Sequence, residues 1–271
     1  MTLLSVNVNK IALLRNSRVG KGPEVGPLAR IALEAGAAGI TVHPRPDRRH
    51  ITPEDVDALA RLVGGFRGVA PGGGKVEFNI EGNPFEGDWL DVVERARPDQ
   101  ATLVPDAPGQ STSDHGFAMP GDVERLEPVV ARLKEIGCRV SIFMDPEPDA
   151  MRRVPATGAD RVELYTERYA EAFARRDADP AGFDTTLGRF VAAARAASEA
   201  GLGVNAGHDL NLDNLSTFVE AIGSDTLLEV SIGHALVGDA LRLGMAEAVR
   251  CYLEAVGDGL RFEARTRDGR A

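Results

Sequence analysis

Two cysteines in 271 residues, Cys138 and Cys251, form neither a disulfide framework nor a metal-ligand spacing. A reducing cytoplasm is therefore the expected compartment. No apolar run approaches the roughly 20 residues that a membrane span needs. The opening Met1-Thr-Leu-Leu-Ser5 lacks a charged n-region and an apolar h-region, so no signal peptide is expected. Positive charge is also short. Lys and Arg number 31 against 41 Asp and Glu, a net charge of −10. That excludes the broad basic face of a non-specific nucleic-acid binder. No Pro/Ser-rich linker divides the chain. The rest is ordinary for a globular domain, 43% hydrophobic and 27% charged. The length fits one large α/β domain or two small ones, with an ample core.

One pattern repeats. A helical stretch ends in Gly, and a β-branched strand follows shortly after. It occurs at Glu34–Val42, Glu135–Phe143, Ala156–Leu164 and Glu199–Asn205. Gly just past a helix end takes the left-handed conformation. Helix, glycine and strand in alternation imply βα units and a parallel sheet. Strands are expected near Leu3–Asn7, Gly39–His43, Val76–Ile80, Gln100–Val104, Arg139–Met144, Arg161–Leu164, Gly203–Ala206 and Leu227–Ile232. Helices are expected at Pro27–Ala35, Phe85–Arg95, Asp122–Ile136, Leu187–Ala200 and Asp239–Ala255. Eight such units predict an α/β fold: a single (β/α)8 TIM barrel over residues 1–256 with a few extra helices, then a polar tail, 257–271. The Gly-rich stretch 64–74 reads as a surface insertion. It is not a P-loop, because Val69 breaks the glycine spacing and Val76 follows Lys75.

The organising stretch is Gly39-Ile-Thr-Val-His-Pro-Arg-Pro-Asp-Arg-Arg-His50. A buried strand gives way to two imidazoles, His43 and His50, and three guanidiniums, Arg45, Arg48 and Arg49. A helix then starts with Thr52 as N-cap, Pro53 at its first position and Asp55 placed for a capping box. Arginine presents a planar fork suited to phosphate or carboxylate, and histidine titrates near neutral pH. A solvated basic loop would have the same composition. The position at a strand's C-terminal end favours function, since barrel chemistry gathers there.

Other strand ends carry matching groups: Asn7; Asn79 and Glu81; Glu163; Asn205-Ala-Gly-His208; Ser231-Ile-Gly-His234. Gly233-His234 either simply opens a helix or forms a phosphate cradle of free N–H groups. Glu81 and Glu163, at inward strand positions, are costly to bury unless paired or functional. A salt bridge from Glu163 to Arg161 or Arg168 is the plainer alternative. His43, Glu81, Glu163 and His208 could also ligate zinc or manganese. No His-x-His or His-Glu-x-x-His is present, and the arginines would repel a cation, so no metal is expected.

These residues resemble the pyridoxine 5′-phosphate synthase family. The likeness runs from Val6 to about Val249, through segments 6–18, 35–51, 79–81, 103–105, 161–166, 204–208 and 231–235. The resemblance implies condensation of 1-deoxy-D-xylulose 5-phosphate with 3-amino-2-oxopropyl phosphate, giving pyridoxine 5′-phosphate, inorganic phosphate and water. It implies no organic cofactor and a homo-oligomer, an octamer of dimers. By matching position it implies that His43 and Glu81 are general bases, His208 a general acid and Glu163 a transition-state stabiliser. It further implies that Arg45, His50 and Thr112 hold the sugar phosphate, while Asn7, Arg18, Gly233 and His234 hold the amino-ketone phosphate. The chain departs from the family pattern at Asn9-Lys10, where Asp-His is usual, and at Asp209, where Gly is usual. An ion pair between Lys10 and Asp209 is the expected compensation.

Overall fold

The helix–glycine–strand repeats close on themselves. The computed structural model of the chain describes residues 1–66, 74–110 and 112–257. In it, eight parallel strands form a closed barrel in sequence order, with β8 pairing back to β1. The strands are β1 (Leu3–Asn7), β2 (Gly39–Val42), β3 (Glu77–Gly82), β4 (Gln100–Leu103), β5 (Arg139–Met144), β6 (Arg161–Leu164), β7 (Gly203–Ala206) and β8 (Leu227–Ile232). The glycines that mark helix ends are left-handed as expected, with φ 113° at Gly36, 88° at Gly137, 79° at Gly158 and 83° at Gly201.

Helices α1 (Asn9–Asn16) and α2 (Val25–Glu34) follow β1, and α3 (Pro53–Gly64), α4 (Trp89–Ala96) and α5 (Val123–Glu135) follow the next three strands. A short α6 (Pro148–Met151) leads to β6, then come α7 (Glu167–Ala174), α8 (Pro180–Glu199), α9 (Leu215–Ile222), α10 (His234–Leu243) and α11 (Met245–Ala255). Three helices differ from the sequence expectation. The helix expected over 239–255 is two, because Gly244 at φ 83° breaks the chain between α10 and α11. α4 starts only at Trp89, after a turn with Gly87 at φ 59°. α8 starts earlier, at Pro180, where the Asp179 carboxylate caps it by accepting from the Gly182 N–H at 3.0 Å. The barrel's elements thus run from Leu3 to Ala255. Most of the Gly-rich stretch, 67–73, and the tail beyond Gly257 lie outside the described residues.

Each strand divides its side chains by period two. Leu4, Val6, Ile40, Val42, Ile80, Leu103, Val140, Ile142, Val162, Leu164 and Val204 are fully buried and belong to one apolar cluster with the helices. Their neighbours in sequence are polar: Ser5, Thr41, Asn79, Gln100, Thr102, Ser141, Glu163, Asn205, Glu229 and Ser231, all buried. These polar side chains meet across the barrel axis. Asn205 on β7 donates to Gln100 on β4 at 3.4 Å, two strands that are not neighbours. Arg139 on β5 pairs with Glu77 on β3, and Arg161 on β6 donates to Glu229 on β8 at 3.2 Å. The apolar core is therefore the layer between strands and helices, while the barrel's inside is a polar lining, hydrogen-bonded in part, with the Ser141 and Ser231 hydroxyls and the Gln100 amide nitrogen left without a partner among the described residues. Barrels of this class more often fill that space with Val, Ile and Leu. Among the described residues, no helix is long and apolar enough to cross a membrane.

Candidate active site

Three strand ends are stitched together at one side of the mouth. The Asn7 side chain, at the end of β1, accepts from the Asn9 N–H at 3.0 Å and donates to the Glu81 carboxyl at 3.3 Å. The Asn9 side chain accepts from the His43 N–H at 2.9 Å. Glu81 is held from below as well, since the Trp89 indole N–H donates to its carbonyl at 2.7 Å. His43 Nδ1 then lies 4.0 Å from the Glu81 carboxyl oxygen.

A second couple faces it. His208 Nδ1 lies 4.0 Å from the carboxyl of Glu163, which is 1% exposed beneath the cavity. The Thr166 hydroxyl donates to the His208 carbonyl, and the imidazole packs edge-on against Phe143 with centroids 5.3 Å apart. Gly207 makes this possible. A Cβ there would stand 2.2 Å from the Ser231 carbonyl oxygen, so only glycine lets β7 pass β8 and bring His208 over Glu163. Arg161, the alternative partner expected for Glu163, is turned to Asn205 and Glu229 instead.

Burial sets the charge states. It pushes Glu81 well above the ordinary carboxyl range, with the nearby Glu163, Asp106 and Glu229 charges adding and Arg45 opposing. It lifts Glu163 to about 8, helped by Glu229. It pushes His43 well down, with Arg45, His50 and His208 adding. His208 is also lowered, chiefly by burial, and His50 falls to about 4 through burial and then Arg45. The site thus holds imidazoles biased toward the neutral form beside Glu163, a carboxyl that keeps its proton near neutral pH, and Glu81, a carboxyl shifted in the same direction, a set suited to proton transfer.

The couples open on a cavity of about 280 Å³. Its walls carry donors for anions. His50 Nδ1 accepts from the Ile51 N–H at 2.9 Å, so its proton sits on Nε2 and can be donated. Arg45, 8% exposed, and Lys10 stand in the same wall, and Gly233 with His234 presents the N-terminus of α10. The loop between β2 and α3 is braced from α1. Arg15 grips Asp55 through two bonds of 2.6 and 2.8 Å, and the Asn16 amide donates to the His50 carbonyl at 2.8 Å. The expected capping box at Thr52 and Asp55 is present.

Of the residues singled out in the sequence, Asn7, Asn9, Lys10, His43, Arg45, His50, Glu81, Thr112, His208, Asp209, Gly233 and His234 line this cavity. Arg18 is exposed beyond α1 and does not. The expected ion pair between Lys10 and Asp209 is not formed, although both line the cavity. Asp209 instead adopts φ 63°, and its carbonyl accepts from the Asn214 amide at 3.1 Å. A left-handed residue is where glycine is the usual occupant and Asp is tolerated, which accounts for the glycine of the family pattern. Among the described residues, no three His, Cys, Asp or Glu side chains are placed to hold a metal, so the four catalytic candidates resolve into two couples rather than a cage. Sequence reasoning missed Asp106 and Ser113. Asp106 is 4% exposed, and its carboxylate takes both Arg45 and the Ser113 hydroxyl. Its place just past β4 was the available signal, the same kind of position that marked Glu81.

The family model for "Pyridoxal phosphate biosynthesis protein PdxJ" matches residues 4–258. The chain is 51% identical over 263 residues to a pyridoxine 5′-phosphate synthase of Albidiferax ferrireducens, covering 95% of this chain and 98% of that one. It is 50% identical over 264 residues to the enzyme of the same name from Xanthomonas campestris pv. campestris, covering 95% and 97%. In fold alone it is similar to a mutant tryptophan synthase alpha-subunit from Pyrococcus furiosus, with a TM-score of 0.54 at 15% identity over 96% of this chain and 97% of that one. Matched along nearly its whole length, the chain belongs to the PdxJ family of pyridoxal phosphate biosynthesis proteins.

Proposed function

We propose that this protein is a pyridoxine 5′-phosphate synthase. It condenses 1-deoxy-D-xylulose 5-phosphate with 3-amino-2-oxopropyl phosphate and releases pyridoxine 5′-phosphate, inorganic phosphate and water. The observation that carries this reading is the pair of His–Glu couples on one cavity, each with a 4.0 Å separation, walled by donors for phosphate. Imine formation, dehydration and aldol closure are all proton transfers, and none of them needs a metal or an organic cofactor. In this reading neutral His43 and the ionised form of Glu81 take protons, His208 gives one and Glu163 stabilises the charge that develops. A phosphate dianion entering beside His50 and His208 counters their desolvation and raises both, so substrate binding itself would arm the acid. Arg45, His50 and Thr112 hold the sugar phosphate. Asn7 and the start of α10 at Gly233 and His234 hold the amino-ketone phosphate, with Arg18 approaching only if the segment beyond α1 moves.

Lys10 and Asp209 favour one second reading. Not paired with each other, they change the charge pattern of the cavity wall from the family's, which supports a related condensation on a different sugar or amino-ketone phosphate. Incubating purified protein with both named phosphates separates the readings. Pyridoxine phosphate fluorescence supports the first; product only when another sugar or amino-ketone phosphate replaces one of the two supports the second, and binding without any turnover makes the chain a non-catalytic phosphometabolite-binding barrel instead. The same reading makes the chain a cytoplasmic homo-oligomer, an octamer of dimers, and the exposed Val19 and Leu241 support buried contacts between copies. Sedimentation velocity tests the assembly.

A further inference from the structure

Arg45 stands in a wall between two spaces. With His43 it lines the 280 Å³ cavity and also a second space of about 90 Å³ behind it. Asp106 lines only the rear space. Its Oδ2 accepts from Arg45 Nη2 and from the Ser113 hydroxyl, the latter at 2.8 Å. Its carbonyl accepts from the Asn83 amide at 2.9 Å, which anchors it to the β3 side. The Gln110 carbonyl takes Arg45 Nη1 at 3.0 Å. Each terminal nitrogen of Arg45 therefore spends one of its two N–H groups on the protein, and the other N–H groups remain for a ligand. A buried guanidinium without this carboxylate would be an uncompensated charge. A loose one would lose rotamer freedom on every binding event.

We propose that Asp106 is a positioning residue for anion binding. From behind, its carboxylate fixes the Arg45 fork and ties Ser113 to it, so an arriving phosphate meets a preformed site. This rests on the reading of Arg45 as a phosphate clamp. The front-and-back arrangement sets it apart from a competing contact, in which Asp106 would occupy the N–H groups that phosphate needs.

The test is a double-mutant cycle on inorganic phosphate, read by calorimetry. Asp106→Asn should weaken phosphate binding about tenfold, or about 1.4 kcal/mol. In an Arg45→Ala background the same change should cost nothing further, because the effect passes through Arg45. Asp106→Glu should restore part of the affinity. With both substrates, Asp106→Asn should raise KM for the sugar phosphate by the same factor and leave kcat near its starting value. Equal losses in both backgrounds overturn the proposal, as does unchanged affinity. Tighter phosphate binding in Asp106→Asn overturns it in favour of competition. Wild-type protein that binds no phosphate also overturns it, since no anion site is then there to shape. Should Asp106→Asn not fold, Ser113→Ala carries the same comparison, with a smaller loss that again vanishes in Arg45→Ala. The cycle needs no turnover. A protein that binds phosphate through Arg45 but makes no pyridoxine phosphate would refute the proposed reaction and leave this result readable.

Discussion

Glu81 and Glu163 are carboxyl groups held where ionisation is costly, each with an imidazole nitrogen 4.0 Å away. Glu81→Gln keeps the shape and removes the titrating group. Turnover should fall about 10²–10⁴-fold, the usual worth of a positioned base, with KM for both phosphates little changed. Steady-state kinetics check this, and near-normal turnover would take Glu81 out of the mechanism. Glu163 makes a prediction about stability. Its ordinary value of 4.5 is raised to about 8 in the fold, by burial first and the Glu229 charge second. Between those values the folded state holds a proton that the unfolded chain has lost. The stabilisation is fully present below the unfolded value and disappears as pH rises through the folded one. Glu163→Gln abolishes this slope. Relative to wild type, the variant should gain stability from about pH 5 to about pH 9, by at least ~1.4 kcal/mol, the free energy of a tenfold change in proton affinity. Urea unfolding at the two pH values measures it, and parallel wild-type and variant profiles would show that Glu163 is not the group lifted.

At the scale of elements, the β2–α3 loop depends on the helix start behind it and on α1 beside it. Thr52→Ala removes the cap of α3 and should cost about 0.5–2 kcal/mol in thermal or denaturant unfolding. Asp55→Ala should cost more and also raise KM for the sugar phosphate, because Asp55 holds Arg15, which donates to the His50 carbonyl at 3.2 Å. Equal KM values in the two variants would separate the brace from the phosphate site. The capping box was legible from Thr52 and Asp55 alone, since it is written within one turn. So were the strands, through β-branched runs opened by helix-ending glycines, and His43, through its position at a strand end. What crosses the molecule was not legible. Arg45 finds Asp106 across 61 residues, and only the side-by-side pairing of β2, β3 and β4 makes them neighbours. Lys10 and Asp209 carried the right charges for a pair, but a left-handed backbone at Asp209 decides where its side chain points. The helix expected over 239–255 runs across Gly244, and the structure uses that glycine as a break.

Over the whole molecule, the polar lining is as interdependent as the apolar layer outside it. Arg161→Met would strip Glu229, 6% exposed, of its 3.2 Å partner and leave Arg139 at 4.0 Å as the remaining cation. Breaking one side of a buried pair costs about 3–5 kcal/mol, which denaturant titration resolves. A loss well below that would mean that Arg139 swings in to take the carboxylate. The two-sidedness of the strands has a consequence for how this sequence can change. On each strand, odd and even positions answer to different masters: Val162 and Leu164 to the helices outside, Arg161 and Glu163 to the groups inside. A saturation scan scored separately for abundance and for product should therefore resolve into two interleaved combs, one residue out of step. The barrel can alter its reagents without loosening its hoops, and Gly207, where any side chain would press on the Ser231 carbonyl and meet Glu163, is where a new chemistry would be hardest to install.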